Sequence, residues 1–328
     1  MKHKLRILCN TPVAHLAEIR RLLEELGTVD YSRFGYDALL KKIGGYDILI
    51  PSLDIMLDRR MLEAAGRLKA IATPSTGIDH IDCDTARERG IAVLSLRGEY
   101  RFLKKVSATA ELAFGLLLSV SRRIPFAFDA VRSGVWQSAD FRGNELKGKT
   151  LGIIGYGRLG EMVSRYGRAF GMKILAYDSY RKVKDTWVRQ VALPVLLRRA
   201  DAISVHVIFN GETRGLLGTR EFAVMKRGVF LINTSRGAVI DEQALLAALN
   251  DGTVKGAGLD VLADELQERT AENPLIRYAR THDNLIITPH MGGVTHESQA
   301  KAFSFIIGKI RIKKWFSGGT FYARKTKQ

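Results

Sequence analysis

The chain has 328 residues, 46% of them hydrophobic, with 51 Lys and Arg against 34 Asp and Glu for a net charge of +17. That size suits two domains with sizeable cores, and no apolar run approaches the ~18 residues of a membrane span. The basic residues are spread along the chain, with concentrations at 97–105 and 311–327, so they read as a solvated basic surface and make a nucleic-acid partner unlikely.

The opening MKHKLRILCN is basic and then apolar. Its apolar part is too short for a signal peptide and predicts a first strand over Leu5 to Cys9. Asn10-Thr11-Pro12 is a helix-start signal, and helix 13–26 is expected to end on Gly27 as a C-cap. Strands are expected at Tyr46 to Pro51, Leu68 to Ala72 and Ile91 to Ser95, with helices at Arg59 to Ala65 and over 82–89, ending at Gly90. This alternation implies a parallel sheet covered by helices on both faces. Within it, PSTGIDHID (74–82) follows a strand end, where open α/β sheets bind ligands. Ser75, Thr76 and Gly77 there either present backbone N–H groups to a carboxylate or form a plain loop into an N-capped helix. The only cysteines, Cys9 and Cys83, show no framework or metal spacing, which fits a reducing cytoplasm and implies no metal.

From Val106 to Arg122 runs a long helical pattern ending before Pro125. It is too apolar for a surface helix and is expected to lie buried between domains. Loop and helix follow to Lys149. Then comes TLGIIGYGRLGEMVSRYGRAFGMKILAYD, from Thr150 to Asp178. Leu151 to Ile154 suits a buried strand, Gly155, Gly157 and Gly160 follow at G-x-G-x-x-G spacing, a helix runs to about Phe170, and a strand over Lys173 to Tyr177 ends on Asp178. Each piece has a function in holding a dinucleotide. Gly155 permits a tight turn, Gly157 lets the backbone approach a pyrophosphate, and Gly160 lets the helix pack close to the strand. The helix N-terminus offers free N–H groups and a positive dipole end to phosphates. Asp178 can accept hydrogen bonds from both ribose hydroxyls of the adenosine, and a 2′-phosphate would face its carboxylate, which favours NAD over NADP. Arg181 is the nearby cation that could pair with such a phosphate.

Further strands are expected at Ala202 to Val207, Val229 to Asn233, Gly256 to Leu259 and Leu285 to Thr288. The fold class is therefore α/β, with two doubly wound parallel-sheet domains. The larger, over 101–290, is a Rossmann dinucleotide-binding domain. The smaller, over 1–100 and 291–328, is flavodoxin-like and discontinuous, because helix 295–316, with Ala302, Phe305, Ile306 and Ile310 at helical spacing, is expected to return to it. Four residues in the second half look like chemistry, each just past a strand: Arg236 in INTSRG, Asp260 in GAGLDV, Glu265 five residues on, and His290 in TPH. A histidine with a carboxylate partner can donate and accept a proton, and an arginine can hold a carboxylate bidentately. That set suits hydride transfer to a 2-keto acid, with the proton from His290. Taken singly, the four also fit a surface arginine, a turn cap, a solvated acid and a packed loop histidine.

The whole chain resembles the D-isomer-specific 2-hydroxyacid dehydrogenases. The resemblance is carried by STGIDHID, ATAEL, TLGIIGYGRLG, GMKILAYD, INTSRGAVID, GAGLDV and NLIITPHMGG. It implies an NAD-dependent oxidoreductase interconverting a D-2-hydroxy acid and its 2-keto acid. It places the family's substrate-binding arginine on Arg236, its nicotinamide-anchoring aspartate on Asp260, the glutamate partner on Glu265 and the acid/base histidine on His290. It places the backbone carboxylate site on Ser75, Thr76 and Gly77. It further implies cofactor contacts from Thr76, Arg158, Leu159, Val207, Thr234, Arg236, His290 and Gly293, and a homodimer built through the cofactor domain.

The chain also departs from the family pattern. Leu262, Ala263 and Leu266 stand where the family has an aromatic residue, a glutamate and a proline, and VHVIFNGET lacks the usual proline. The crossing segment LRGEYRFLKKVS is basic. Its Arg97, with Arg101, Lys104 and Lys105, points to a substrate with a second anionic group, such as a phosphate, or else forms a solvated loop. Another expectation on the same fold is an NAD(H)-sensing binding protein of the corepressor type.

Overall fold

A computed structural model describes residues 4–263, 265 and 272–313. It divides into two compact units: the chain up to Tyr100 together with the chain from Gln299 onward, and Arg101–Ser298. Among the described residues, no helix is long and apolar enough to cross a membrane.

The first unit contains β1 (Leu5–Cys9), α1 (Ala17–Glu24), β2 (Gly27–Asp30), α2 (Tyr36–Lys42), β3 (Ile48–Ile50), α3 (Arg59–Ala64), β4 (Ala70–Ala72), α4 (Cys83–Glu88) and β5 (Ala92–Leu94). All five strands are parallel, in the order β2-β1-β3-β4-β5, the flavodoxin-like doubly wound order. Asp58 and Asp82 cap α3 and α4, each carboxylate accepting an N–H three residues on, from Met61 and Thr85. Gly27 is not a helix cap. It opens β2, where a Cβ would lie 2.1 Å from the Leu5 carbonyl oxygen, so glycine is needed for a close approach of strands.

At the amino edge of this sheet Asp47 is buried and joins three strands. Its carboxylate accepts the Arg6 N–H at 2.9 Å and both Nε and Nη2 of Arg67 at 3.0 Å, and it lies 3.1 Å from Lys69 Nζ. Burial alone would raise this carboxyl, but the Arg67, Arg6 and Lys69 hydrogen bonds outweigh it and hold it below the usual carboxylate range.

The second unit opens with α5 (Tyr100–Leu103), α6 (Ala108–Arg122) and α7 (Ile124–Arg132). Pro125 was expected to lie beyond a helix end, and it does, but it also starts the next helix from the first turn, where its missing N–H costs nothing. The turn between α6 and α7 is made at Arg123, with φ +56°. Then follow β6 (Thr150–Ile154), α8 (Arg158–Ala169), β7 (Lys173–Tyr177), β8 (Val188–Gln190), α9 (Leu193–Arg199), β9 (Ala202–Val205), α10 (Thr219–Val224), β10 (Val229–Asn233), α11 (Glu242–Asn250), β11 (Val254–Leu259), α12 (Pro274–Ala279) and β12 (Leu285–Ile287), and then α13 (His296–Ile312), which from Gln299 onward belongs to the first unit. The seven strands are parallel in the order β12-β11-β10-β9-β6-β7-β8. The order reverses between β9 and β6, the switch point of a dinucleotide-binding sheet.

Helix α6 is buried against the sheet of this same unit. Val120 and Leu116 sit over Gly256 and Gly258 of β11, where an added Cβ would meet them at 2.6 Å and 2.9 Å. Its apolar composition is therefore accounted for by its own sheet. The second unit runs to Ser298, and its 288–292 segment is held by Asp260 and by Thr109 of α6. In α13 the buried stripe is Ala302, Phe303, Ile306, Ile307 and Ile310. Phe305 lies beside it, under the Lys309 ammonium. Residues 314–316 of the expected helix, the basic tail beyond Lys313 and the Leu266 substitution lie outside the described residues.

Asp47→Asn should destabilise the first unit by about 1–3 kcal/mol, the scale of hydrogen bonds to a buried charge. The depressed carboxyl contributes stability above the ordinary carboxylate value near pH ~4, and that contribution is lost as pH falls through the folded value. Denaturation of parent and mutant from pH 7 to pH 3 should show the gap between them closing in acid.

Candidate active site

The glycine-rich turn meets the requirements read from its spacing. Gly155 has φ +90°, and a Cβ there would lie 2.7 Å from the His206 carbonyl oxygen. A Cβ on Gly160 would lie 2.2 Å from the Gly155 carbonyl oxygen and 2.9 Å from Ile153 Cγ2, so the helix is packed directly on the strand. Gly157, the N-cap of α8, is different, because its Cβ would meet nothing within 4 Å. The open side of Gly157 therefore faces space that protein atoms leave free. The N–H groups of Arg158, Leu159 and Gly160 open the helix without intrahelical acceptors. Leu159 packs its side chain on the core beneath. Arg158 turns its guanidinium back, and Nη1 donates to the carbonyls of Leu103 and Val106. Burial lowers the pKa of that guanidinium.

Asp178, just past β7, accepts the Tyr156 N–H on Oδ2 at 2.8 Å and the N–H groups of Tyr180 and Arg181 on Oδ1 at 2.9 Å and 2.8 Å. Val207 lies two residues past β9, at the switch point, after His206. Burial and the nearby Arg158 push the His206 imidazole down to about 3, so it is neutral at pH 7. Its Nε2 pairs with Ser204 Oγ at 2.8 Å. Thr234, one residue past β10, has its hydroxyl buried with no partner among the described residues. These features fit a dinucleotide: an open glycine, helix N–H groups and an orphaned hydroxyl, all along the carboxyl edge.

The four residues expected to carry chemistry follow the carboxyl ends of the three strands at the other side of the sheet. Arg236 lies three residues past β10 and donates from Nη1 to the Ser235 carbonyl at 2.7 Å. Asp260, one residue past β11, is buried. Its Oδ1 accepts the Thr288 hydroxyl at 2.6 Å and the Met291 N–H at 2.9 Å, and its Oδ2 accepts the Gly292 N–H at 2.8 Å. Burial pushes this carboxyl up, against the pull of those three donors. The Thr109 hydroxyl of α6 holds the Gly292 carbonyl at 3.0 Å. Between these anchors, His290 adopts φ +50°, a left-handed conformation that costs a non-glycine residue on the order of 1–3 kcal/mol. Its Nδ1 meets Glu265 Oε1 at 2.7 Å, and Glu265 Oε2 accepts the Leu262 N–H at 3.2 Å. With Nδ1 engaged, the ring presents Nε2 as its second nitrogen. Gly293, after the loop, is exposed.

The substitutions after Asp260 are absorbed locally. Leu262 is buried, and a Cβ on Gly237 would lie 1.9 Å from its carbonyl carbon, so SRG and DVL pack backbone to backbone. Ala263 N–H donates to Glu242 at 2.7 Å. Without its proline, the loop after β9 is shaped by Asn210, whose Oδ1 accepts N–H groups from Glu212 and Thr213.

In the first unit, Ser75 Oγ donates to the Gly77 carbonyl at 2.5 Å and pairs with Thr73 Oγ1 at 3.0 Å. The N–H groups of Ser75, Thr76 and Gly77 donate to no group among the described residues. Arg97, Arg101, Lys104 and Lys105 are exposed. Sequence reasoning missed the anchoring role of Thr109, although ATAEL pointed to that segment. It also missed the Asp260–Thr288 bond, for which strand-end spacing carries no signal.

The fold order, the glycine turn and the histidine–carboxylate pair at one strand edge define a nicotinamide-nucleotide oxidoreductase. Residues 114–292 match the model of the D-isomer specific 2-hydroxyacid dehydrogenase NAD binding domain. The chain is 36% identical over 307 residues to a hydroxypyruvate reductase of Thermotoga maritima, covering 94% of this chain and 97% of that one. It is 36% identical over 296 residues to a D-3-phosphoglycerate dehydrogenase of Methanocaldococcus jannaschii, which covers 89% of this chain but only 54% of that longer one. Its structure resembles that of Aquifex aeolicus D-lactate dehydrogenase complexed with NAD and lactic acid, with a TM-score of 0.79, 29% identity, and 93% and 94% of the two chains covered. The chain belongs to the D-isomer-specific 2-hydroxyacid dehydrogenase family. These relatives are dehydrogenases and reductases, which supports catalysis over the corepressor-type reading.

Two alanine substitutions separate cofactor binding from packing. Gly157→Ala should melt like the parent yet bind NADH at least tenfold more weakly, because its Cβ enters the space left for a pyrophosphate. Gly160→Ala should instead lower the melting temperature of the free protein, since its Cβ overlaps the Gly155 carbonyl. Thermal melts without cofactor and NADH fluorescence titrations distinguish the two.

Proposed function

We propose that this chain interconverts a D-2-hydroxy acid and its 2-keto acid, with the second unit as cofactor domain and the first as substrate domain. The observation that carries the reading is the 2.7 Å His290–Glu265 pair at the strand edge of a dinucleotide fold. Bound NAD(H) supplies or receives the hydride. In the reductive direction His290 gives its proton to the keto oxygen, and Glu265 keeps the imidazole oriented through Nδ1. Arg236 holds the substrate carboxylate and polarises the keto group. The N–H groups of Ser75, Thr76 and Gly77 receive a carboxylate in the same reaction. Asp260 acts chiefly by holding the 288–292 segment in place. On the cofactor, the α8 N-terminus with Gly157, Arg158 and Leu159 takes the pyrophosphate. Asp178 takes the adenosine ribose, while Thr76, Val207, Thr234 and Gly293 complete the contacts. The two unpaired thiols suit a cytoplasmic enzyme.

His290→Ala should lower kcat by about 10²–10⁴-fold, the range for a positioned acid, while leaving NADH affinity nearly intact. Glu265→Gln, which keeps shape but loses the charge on Nδ1, should also lower kcat without weakening NADH. Steady-state rates with glyoxylate, hydroxypyruvate and pyruvate, beside NADH titrations, check both. Parent-like rates for His290→Ala would remove it from the role.

The same unit carries an uncovered apolar surface. Helix α7 buries none of its residues, and Ile124, Phe128 and Val131 recur at i, i+4 and i+7 with 51%, 61% and 48% exposure. Trp136 just beyond is 87% exposed. A contiguous apolar stripe of this kind marks an association surface, and we assign it to a second copy of this chain. Phe128→Asp combined with Trp136→Ser should convert a dimer to a monomer in sedimentation velocity while leaving NADH binding in place.

A further inference from the structure

The segment from Asp178 to Trp187 contains nothing that periodicity would order, yet it carries the acid assigned to the adenosine ribose. Two side chains outside it hold it. Gln190 ends β8, opposite Ala176 of β7. Its Nε2 donates to the carbonyls of Arg181 at 2.9 Å and Asp178 at 3.3 Å, and its Oε1 accepts the Val183 N–H at 2.9 Å. One amide thus spans the Asp178–Val183 turn from behind, using both of its donors. Tyr156, between the first two glycines of the turn, holds the segment from the other side. Its N–H donates to Asp178 Oδ2 at 2.8 Å, and its hydroxyl donates to Asp185 Oδ2 at 2.9 Å and lies 3.2 Å from Ser164 Oγ. The Tyr156 ring is buried, and burial, with Asp185 assisting, pushes its phenol up to about 12, so it remains a donor.

These bonds converge on the segment that carries Asp178: the Tyr156 backbone N–H on its carboxylate, the Gln190 amide on the carbonyls of Asp178 and Arg181, and the Tyr156 hydroxyl on Asp185. The Arg181 N–H is bound to Asp178, and its carbonyl is bound to Gln190. Asp178 therefore cannot swing away from the glycine turn without breaking the Tyr156 contact, and the turn behind it cannot open without breaking the Gln190 contacts. Accommodating a 2′-phosphate requires that movement, because the carboxylate would otherwise face a second anion.

We propose that Gln190 and Tyr156 are positioning residues that lock Asp178 against the glycine turn and so make the chain select the unphosphorylated adenosine ribose. This inference rests on the proposed NAD(H) reading. It extends cofactor choice from the acid itself to the amide and phenol that hold the segment bearing it. The role requires both donors and the acceptor of glutamine at position 190. Leucine offers neither, and glutamate would set a carboxylate against two carbonyl oxygens.

The test is direct binding. Dissociation constants for NADH and NADPH are measured by fluorescence titration on the full chain carrying Gln190→Leu, Gln190→Glu or Tyr156→Phe, beside melts of each free protein. The expected result is a parent that prefers NADH, and variants in which NADH weakens while NADPH does not. The NADPH/NADH ratio of dissociation constants should fall roughly tenfold, the factor carried by about one hydrogen bond of lost preorganisation. Tyr156→Phe guards against a folding artefact at the edge strand, since it keeps the backbone bond to Asp178 and loosens the segment only at Asp185, away from Gln190. Equal weakening of both cofactors, or an unchanged ratio in all three variants, would overturn the inference while leaving the NAD(H) reading intact. A parent that prefers NADPH would overturn the Asp178 reading and this inference together.

Discussion

Close approach of helices to the second sheet is the constraint from which the rest of this unit follows. Three helices come down onto the sheet at glycines. Leu196 of α9 would lie 2.5 Å from a Cβ on Gly152, α8 presses Gly160 onto the Gly155 carbonyl, and α6 sets Leu116 and Val120 over Gly258 and Gly256. With no side chains between them, the helix N-termini and strand ends share one edge at fixed height. The α8 N–H groups, Asp178, Thr234, Arg236, Asp260 and His290 all lie along that edge. From β12 to β7 there are five strand spacings, roughly 24 Å at about 4.8 Å each. The proposed acid/base pair at one end and the proposed ribose acid at the other are thus separated by the length over which a dinucleotide would lie extended.

The chemistry proposed for the β12 end depends on a buried charge. Asp260 has little water to solvate it, and it is kept polar by three donors that all come from the 288–292 segment. Those bonds define the segment that places His290, and they offset the cost of its left-handed backbone. The burial that raises the Asp260 carboxyl is the same burial that makes each of its hydrogen bonds count. Thr109 closes the arrangement from α6, so the helix that fills the core of the unit also fixes the loop bearing the proposed acid.

Much of this was legible in the chain. The β6–α8–β7 unit could be read because each of its glycines answers a distinct steric demand that spacing records. The strand-end residues could be read because apolar runs mark where strands stop. What escaped depended on contacts distant in sequence. Gly27 looks like a helix cap because a helix precedes it, whereas its reason is the Leu5 carbonyl on the neighbouring strand. β8, with the sequence Val-Arg-Gln, is a three-residue edge strand with no apolar alternation to announce it, so Gln190 carried no signal. The apolar pattern of α6 shows that the helix is buried, but not that β10 and β11 of its own unit are what it packs on. In the site, residue types and strand-end positions could be read, and the resemblance already paired Glu265 with His290, whereas the Asp260 anchors are pairings across long stretches of chain.

The central claim is that this edge transfers hydride to a 2-keto acid and delivers one stereoisomer. The most direct measurement is a single-turnover reduction of hydroxypyruvate or glyoxylate with NADH stereospecifically deuterated at C4 of the nicotinamide, followed by mass spectrometry, and by chiral separation where the product is chiral. The account predicts deuterium at C2 of the hydroxy acid from one of the two C4 epimers, none acquired at C2 from deuterated solvent, and a D-configured product from hydroxypyruvate. No turnover with any 2-keto acid, C2 hydrogen drawn from solvent, or an L-configured product would contradict it.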